Sequence, residues 1–200
     1  MSRLSPSTCS RIAYAIGGVV LLSGAAPAFA QEDVSLEAVK AALERYQDPY
    51  AAVHDLYLST VGCIVYPGGG TEGEMQYPPG GMGVHFLNVP LIDGELDPMR
   101  PEVLIYERDE HGALHLAAAE WFVPLEASPT APVLFGRELD GPMEGHQPLM
   151  PPGFHHWDLH AWLWKHNPEG MFVPTNPDVT CPGEEYTVHE HAPKIVGSGN

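Results

Sequence analysis

The spacing of apolar positions divides the chain into a short helical segment and a longer region of strands. In SLEAVKAALERYQ, residues 35–47, Leu36, Val39, Leu43 and Tyr46 recur at steps of three and four, so they share one face of an amphipathic helix. Ser35 is suited to cap it and Glu37 sits in its first turn. Pro49 opens a second stretch, PYAAVHDLYLS, in which Tyr50, Val53 and Tyr57 again share a helical face, predicting a second helix that runs to about residue 58. From residue 61 the period shortens. Strands are expected at 62–66, 83–89, 102–107, 113–123 and 158–164, separated by glycine- and proline-rich loops at 66–83 and 124–153. The polar turn RDEHG joins the third and fourth of these as an antiparallel hairpin. The fold class this implies is α+β, with two N-terminal helices packed on a curled antiparallel sheet that could close as a small barrel.

The first thirty residues stand outside this pattern. Arg3 and Arg11 precede the apolar run IAYAIGGVVLL, which ends in small residues closing on Ala28-Phe29-Ala30, the arrangement of a secretory signal peptide. Residues 1–30 are therefore read as a leader and 31–200 as one domain that is exported to the periplasm or outside the cell. No later stretch is long and apolar enough for stable membrane insertion. The formal charge of -17 disfavours nucleic acid and anionic surfaces and favours cations, although an acidic surface also serves solubility. With Cys9 inside the leader, Cys63 and Cys181 are the two thiols left, and in an exported protein they are expected to form a disulfide. The alternative is a cysteine-containing metal centre.

Strand parity locates the candidate chemistry, since alternate side chains face opposite sides of a sheet. In GVHFLNV, His85 shares a face with Leu87 and Val89. In the next long strand Glu120 falls on the side of Leu114, Leu116, Ala118 and Phe122. The segment FHHWDLHAWLWKH, residues 154–166, holds four histidines and three tryptophans of a chain with 11 His and 4 Trp. There Asp158, His160, Trp162 and Trp164 alternate with Leu159, Ala161 and Leu163, and His156 shares the parity of His160.

A carboxylate or imidazole on an apolar face is costly unless it is paired, hydrogen-bonded or bound to a cation. His85, Glu120 and His160 are thus candidate ligands of one divalent transition metal (Zn, Cu, Fe or Mn), with His156 as a fourth ligand or proton carrier. Asp158 or Asn88 would orient a ligand from behind. The competing readings are a non-enzymatic protein with a Trp-rich apolar pocket for a small molecule, and a structural protein with a satisfied polar core. His111, His115, His189 and His191 read as surface residues, His54 as a surface or half-buried helix residue, and His155 and His166 as bystanders to the site. Familiar catalytic signatures are missing: there is no phosphate loop, no GxSxG elbow, and the His156-to-His160 pair has Trp157 where a zinc protease has glutamate.

The ordered segments GGMGVHFLN (80–88), LDPMRPEVLIYE (96–107), LAAAEWFVP (116–124), WDLHAWLWKHNPEGMF (157–172) and NPDVTCP (176–182) resemble a family of exported bacterial proteins. The resemblance spans most of residues 31–200 and implies export, but it carries no reaction with it. Members of that family often have tyrosine where this chain has Phe86, Trp121 and Trp157, so a phenol at those positions would be lacking here.

Overall fold

The computed structural model describes residues 34–72, 75–146, 150–181 and 186–187, all within one compact unit, Glu32–Asn200. The segment read as a leader, and His189 and His191, lie outside the described residues.

The first amphipathic segment folds as α1, Leu36–Leu43, and runs on without a break into a 3₁₀ turn, Glu44–Gln47. Ser35 caps it, its hydroxyl accepting from the Ala38 amide at 3.2 Å. The second expected helix is much reduced. A six-residue segment, α2 (Pro49–His54), follows the Asp48 cap and stops where the backbone turns into the first strand at Leu58. The N-terminal region is therefore one helical run with a short turn after it, in place of two full helices.

The strands are β1 (Leu58–Tyr66), β2 (Gly70–Glu72), β3 (Met75–Tyr77), β4 (Gly80–Leu87), β5 (Val103–Arg108), β6 (Leu114–Pro124), β7 (Val133–Leu134), β8 (Arg137–Glu138), β9 (Asp140–Glu144), β10 (His155–Ala161) and β11 (Tyr186–Thr187). Seven of them form one sheet in the order β11-β1-β4-β5-β6-β10-β9. Its pairings are antiparallel except for the short parallel contact of β1 with β11. The two pairs β2-β3 and β7-β8 are small hairpins within the expected loops. The sheet stays open, not closed as a barrel. Its edges are a two-residue strand and β9, which contains Pro142 and so lacks one ladder donor.

The β5-β6 hairpin forms where the RDEHG turn predicts it. Asp109 accepts from the His111 and Ala113 amides at 2.8 Å each, and Gly112 takes the positive φ of +83° that closes the turn. The last long strand ends earlier than expected, at Ala161, because the chain turns there and the Trp164 and Lys165 amides donate to the carbonyl of Ala117.

One face of the sheet packs against the helical run. Val39, Leu43 and Tyr46 meet Phe86, Leu104, Tyr106, Ala119, Trp121, Trp157 and Leu159 in the main core. The disulfide between Cys63 and Cys181, 118 residues apart, joins β1 to the C-terminal segment at the border of this core. Closing a loop of that length restricts the unfolded chain by ~5 kcal/mol in the chain-entropy account.

Two bulges decide what faces the opposite side. In β4, Ile64 pairs with Gly83 but Val65 with Gly81, and Gly83 has φ +86° with the Tyr106 carbonyl only 2.6 Å from where a Cβ would stand. That irregularity puts Met82 and His85 on the same side although they are three residues apart, while Val84 and Phe86 join the helix-side core. In β6, Ile105 pairs with Ala118 but Tyr106 with Leu116, leaving Ala117 as the extra residue. Leu116 consequently packs on the helix side, and Glu120 shares its face with Ala118 and Phe122 but not with Leu116.

A buried histidine and carboxylate cluster

Three strands deliver the cluster. His85 comes from β4, Glu120 from β6, and His156, Asp158 and His160 from alternate positions of β10. His160 pairs directly with Glu120 across the β6-β10 ladder. All five side chains are buried, and His160 is wholly inaccessible.

Their atoms approach one another at nearly constant spacing. His85 Nε2 lies 3.4 Å and His160 Nε2 3.6 Å from Glu120 Oε2. His160 Nδ1 lies 3.5 Å from Asp158 Oδ1, and His156 Nε2 3.6 Å from Asp158 Oδ2. These separations exceed the 2.7–3.2 Å of a good N–H···O bond. Both ring nitrogens of His85 and of His160, together with Glu120 Oε2, Asp158 Oδ1 and His156 Nδ1, are buried with no hydrogen-bond partner among the described residues. Two groups bring their ligand atoms within 4.8 Å of one another: His85, Glu120 and His160, and Glu120, His156 and Asp158. Such a buried group of imidazoles and carboxylates can hold a metal ion.

The electrostatics of the cluster are coupled. Burial lowers the pKa of His85 and outweighs the raising influence of Glu120, so its imidazole is neutral. Burial would lower that of His160 too, but the Glu120 and Asp158 carboxylates outweigh it and raise its pKa to about 9. Against burial, which favours their protonated forms, His160 is the foremost influence lowering the pKa of both Glu120 and Asp158, and they stay ionised. Among the described residues the ion pairs of Glu120 and Asp158 are to histidine. In the metal-free cluster an imidazolium at His160 thus faces two buried carboxylates, and a cation bound there would displace its proton.

A cavity of about 30 Å³ opens beside the cluster. His85, Glu120 and His156 line it with Thr60, Val103 and Phe122 from the sheet and with His146 and Met150 from the loop after β9. The Phe122 ring stacks on His156 at 4.1 Å between centroids and holds that imidazole over the sheet. The His146 ring stands 5.8 Å from that of His85. His146 escaped the sequence reading because GHQP lies in a proline-rich loop, where no periodicity assigns a direction to a side chain.

Other candidates fall elsewhere. Asn88 has the parity of Phe86, not of His85, and its amide donates to the Asp55 carbonyl at 2.9 Å, tying the end of α2 to the sheet. The tryptophans do not converge on one pocket. Trp157 packs in the helix-side core with its indole N–H on the Ser128 carbonyl, whereas Trp162 packs with Val103, Ile105 and Val179 and donates to the Val173 carbonyl. Trp164 is half-buried and donates to Glu44. His54, His111, His115, His155 and His166 are exposed. No helix among the described residues is long and apolar enough to cross a membrane. No protein-family model, curated protein or solved structure matches this chain.

Proposed function

We propose that this is an exported metal-binding protein that holds a divalent first-row transition ion between His85, His160 and Glu120. The observation that carries the reading is the spacing of Glu120 Oε2 from two imidazole Nε2 atoms, 3.4 and 3.6 Å, with all three atoms buried and without a hydrogen bond among the described residues. Ligands 2.1 Å from a shared tetrahedral ion stand ~3.4 Å apart. The distances are too long for the residues to satisfy one another and the right length for an ion to satisfy all of them.

The donor set favours Zn, Fe, Mn or Cu, because two imidazoles with one carboxylate suit borderline ions better than Ca or Mg, which take all-oxygen shells. Three protein ligands leave the ion an open position for water on the side of the cavity, where a bound water would be acidified. The arginine-flanked apolar leader in the sequence and the Cys63–Cys181 disulfide support export.

Elemental analysis of the mature protein, expressed with its leader and purified without a histidine tag, tests the reading. Stoichiometric metal that is lost in the His85→Ala/His160→Ala double variant is the expected result. A folded wild-type protein that carries no transition metal and takes up none after dialysis against Zn²⁺ would refute it.

A further inference from the structure

The cluster holds more ligands than one ion uses. Glu120 belongs to both ligand groups, and the second group, with His156 and Asp158, uses neither imidazole of the first. A carboxylate has two oxygens and can give one to each of two ions. His156, Asp158 and His160 alternate along β10, so all three project from one face, and Glu120 stands opposite His160 in the register.

We infer that the site is dinuclear, with Glu120 bridging one divalent transition ion held by His85 and His160 and a second held by His156 and Asp158. The inference rests on the metal-binding function proposed above and extends it. In the second group the His156-to-Asp158 distance is 3.6 Å, against 3.4 and 3.6 Å in the first, beyond a hydrogen bond and close to the edge of a tetrahedral ligand shell. If Asp158 served only to orient His160 behind a single ion, its Oδ1 would hydrogen-bond to His160 Nδ1. The two are instead 3.5 Å apart, an ion-pair distance, and neither atom has a hydrogen-bond partner among the described residues. The Phe122 ring fixes His156 inward although its neighbour His155 is exposed, which keeps the second imidazole with the cluster and away from solvent. Two ions sharing a carboxylate stand about 3.5–4 Å apart in two-metal sites, where they can clamp a water or an oxyanion between them.

The test is a titration of the metal-free, disulfide-intact protein with Mn²⁺ and with Zn²⁺, followed by elemental analysis after desalting. Two Zn²⁺ per chain are expected, and one in His156→Ala and in Asp158→Asn, with electron paramagnetic resonance of the Mn²⁺-loaded wild type giving the spectrum of a coupled pair. One ion per chain with an uncoupled Mn²⁺ spectrum would overturn the dinuclear site and leave the single-ion function standing. No ion at all would remove both. Two ions retained in a folded His156→Ala protein would overturn the assignment of the second ligand set. Because stoichiometry and spin coupling are read on the wild type, the conclusion does not depend on the variants folding.

Discussion

The two faces of this sheet treat buried polar groups in opposite ways. On the helix side nearly every such group is used to fix structure. The Tyr106 hydroxyl donates to the Tyr46 carbonyl at 2.6 Å, that of Tyr57 to Pro101 at 2.7 Å, and the Trp121 and Trp157 indoles to Asp97 and Ser128 at 3.0 and 2.9 Å. On the other side His85, Glu120, Asp158 and His160 keep buried polar atoms with no hydrogen-bond partner among the described residues. A buried polar atom without a partner costs about 1–3 kcal/mol. Several of them converge beside one cavity, on the face that carries the proposed metal site.

The largest test of that contrast is Trp121→Ala. Trp121 is fully buried, edge-on to Phe135 at 5.0 Å, and its loss is expected to lower stability by about 3–5 kcal/mol while the metal content of the folded fraction stays that of wild type. Chemical denaturation and elemental analysis on the same preparation check both halves, and a parallel fall in metal stoichiometry would mean that the two faces are not separable.

The next test concerns Glu102, which is fully buried at the start of β5 and accepts from the Phe122 amide at 2.9 Å. Burial pushes its pKa from 4.5 up to about 8. In the unfolded chain the carboxyl ionises near 4.5, whereas in the folded protein it keeps its proton until about 8, so folding stability falls as pH rises through that window. Each pH unit within it is worth at most about 1.4 kcal/mol. Glu102→Gln keeps an acceptor for Phe122 and removes the titration. The melting temperature of the metal-free variant should match wild type below pH 4.5 and exceed it increasingly towards pH 8. Equal melting temperatures at pH 8 would place the ionised form of Glu102 in a compensated environment.

The smallest effects give the most direct contrast between the faces. Tyr106→Phe deletes a satisfied hydroxyl and should cost about 1 kcal/mol. His85→Leu deletes an imidazole with no hydrogen bond among the described residues, so the metal-free variant should be at least as stable as wild type in urea denaturation and should fail to hold the proposed ion. A clear loss of stability in metal-free His85→Leu would make that imidazole a structural residue like those of the helix side.

Much of the site was legible because a strand's period is two. The parity of β10 places His156, Asp158 and His160 together, and that of β4 and β6 singles out His85 and Glu120 as polar residues on otherwise apolar sides. The same reasoning misplaced Leu116 relative to Glu120, because the bulge at Ala117 shifts the register and nothing local in LHLAAAEWFV marks it. It also extended the last strand to Trp164, past the point where the chain turns back on the Ala117 carbonyl. Asp158 was read as standing behind a ligand, and its carboxylate lies 3.6 Å from His156 and 3.5 Å from His160, in a group with Glu120 and His156 that could also hold an ion.

By itself the sequence determined the first helix, the β5-β6 hairpin, the pairing of Cys63 with Cys181 and the identity of the polar residues on apolar strand faces. These follow from local periodicity, turn chemistry and cysteine count, which are properties of neighbouring residues or of composition. The tertiary structure decided that the sheet stays open, that α2 is short, and that His85, two strands away from Glu120, reaches the same oxygen as His160. Those outcomes depend on register between strands distant in the chain, and a glycine bulge in β4 or an extra alanine in β6 changes that register without altering the pattern that a reader of the sequence sees.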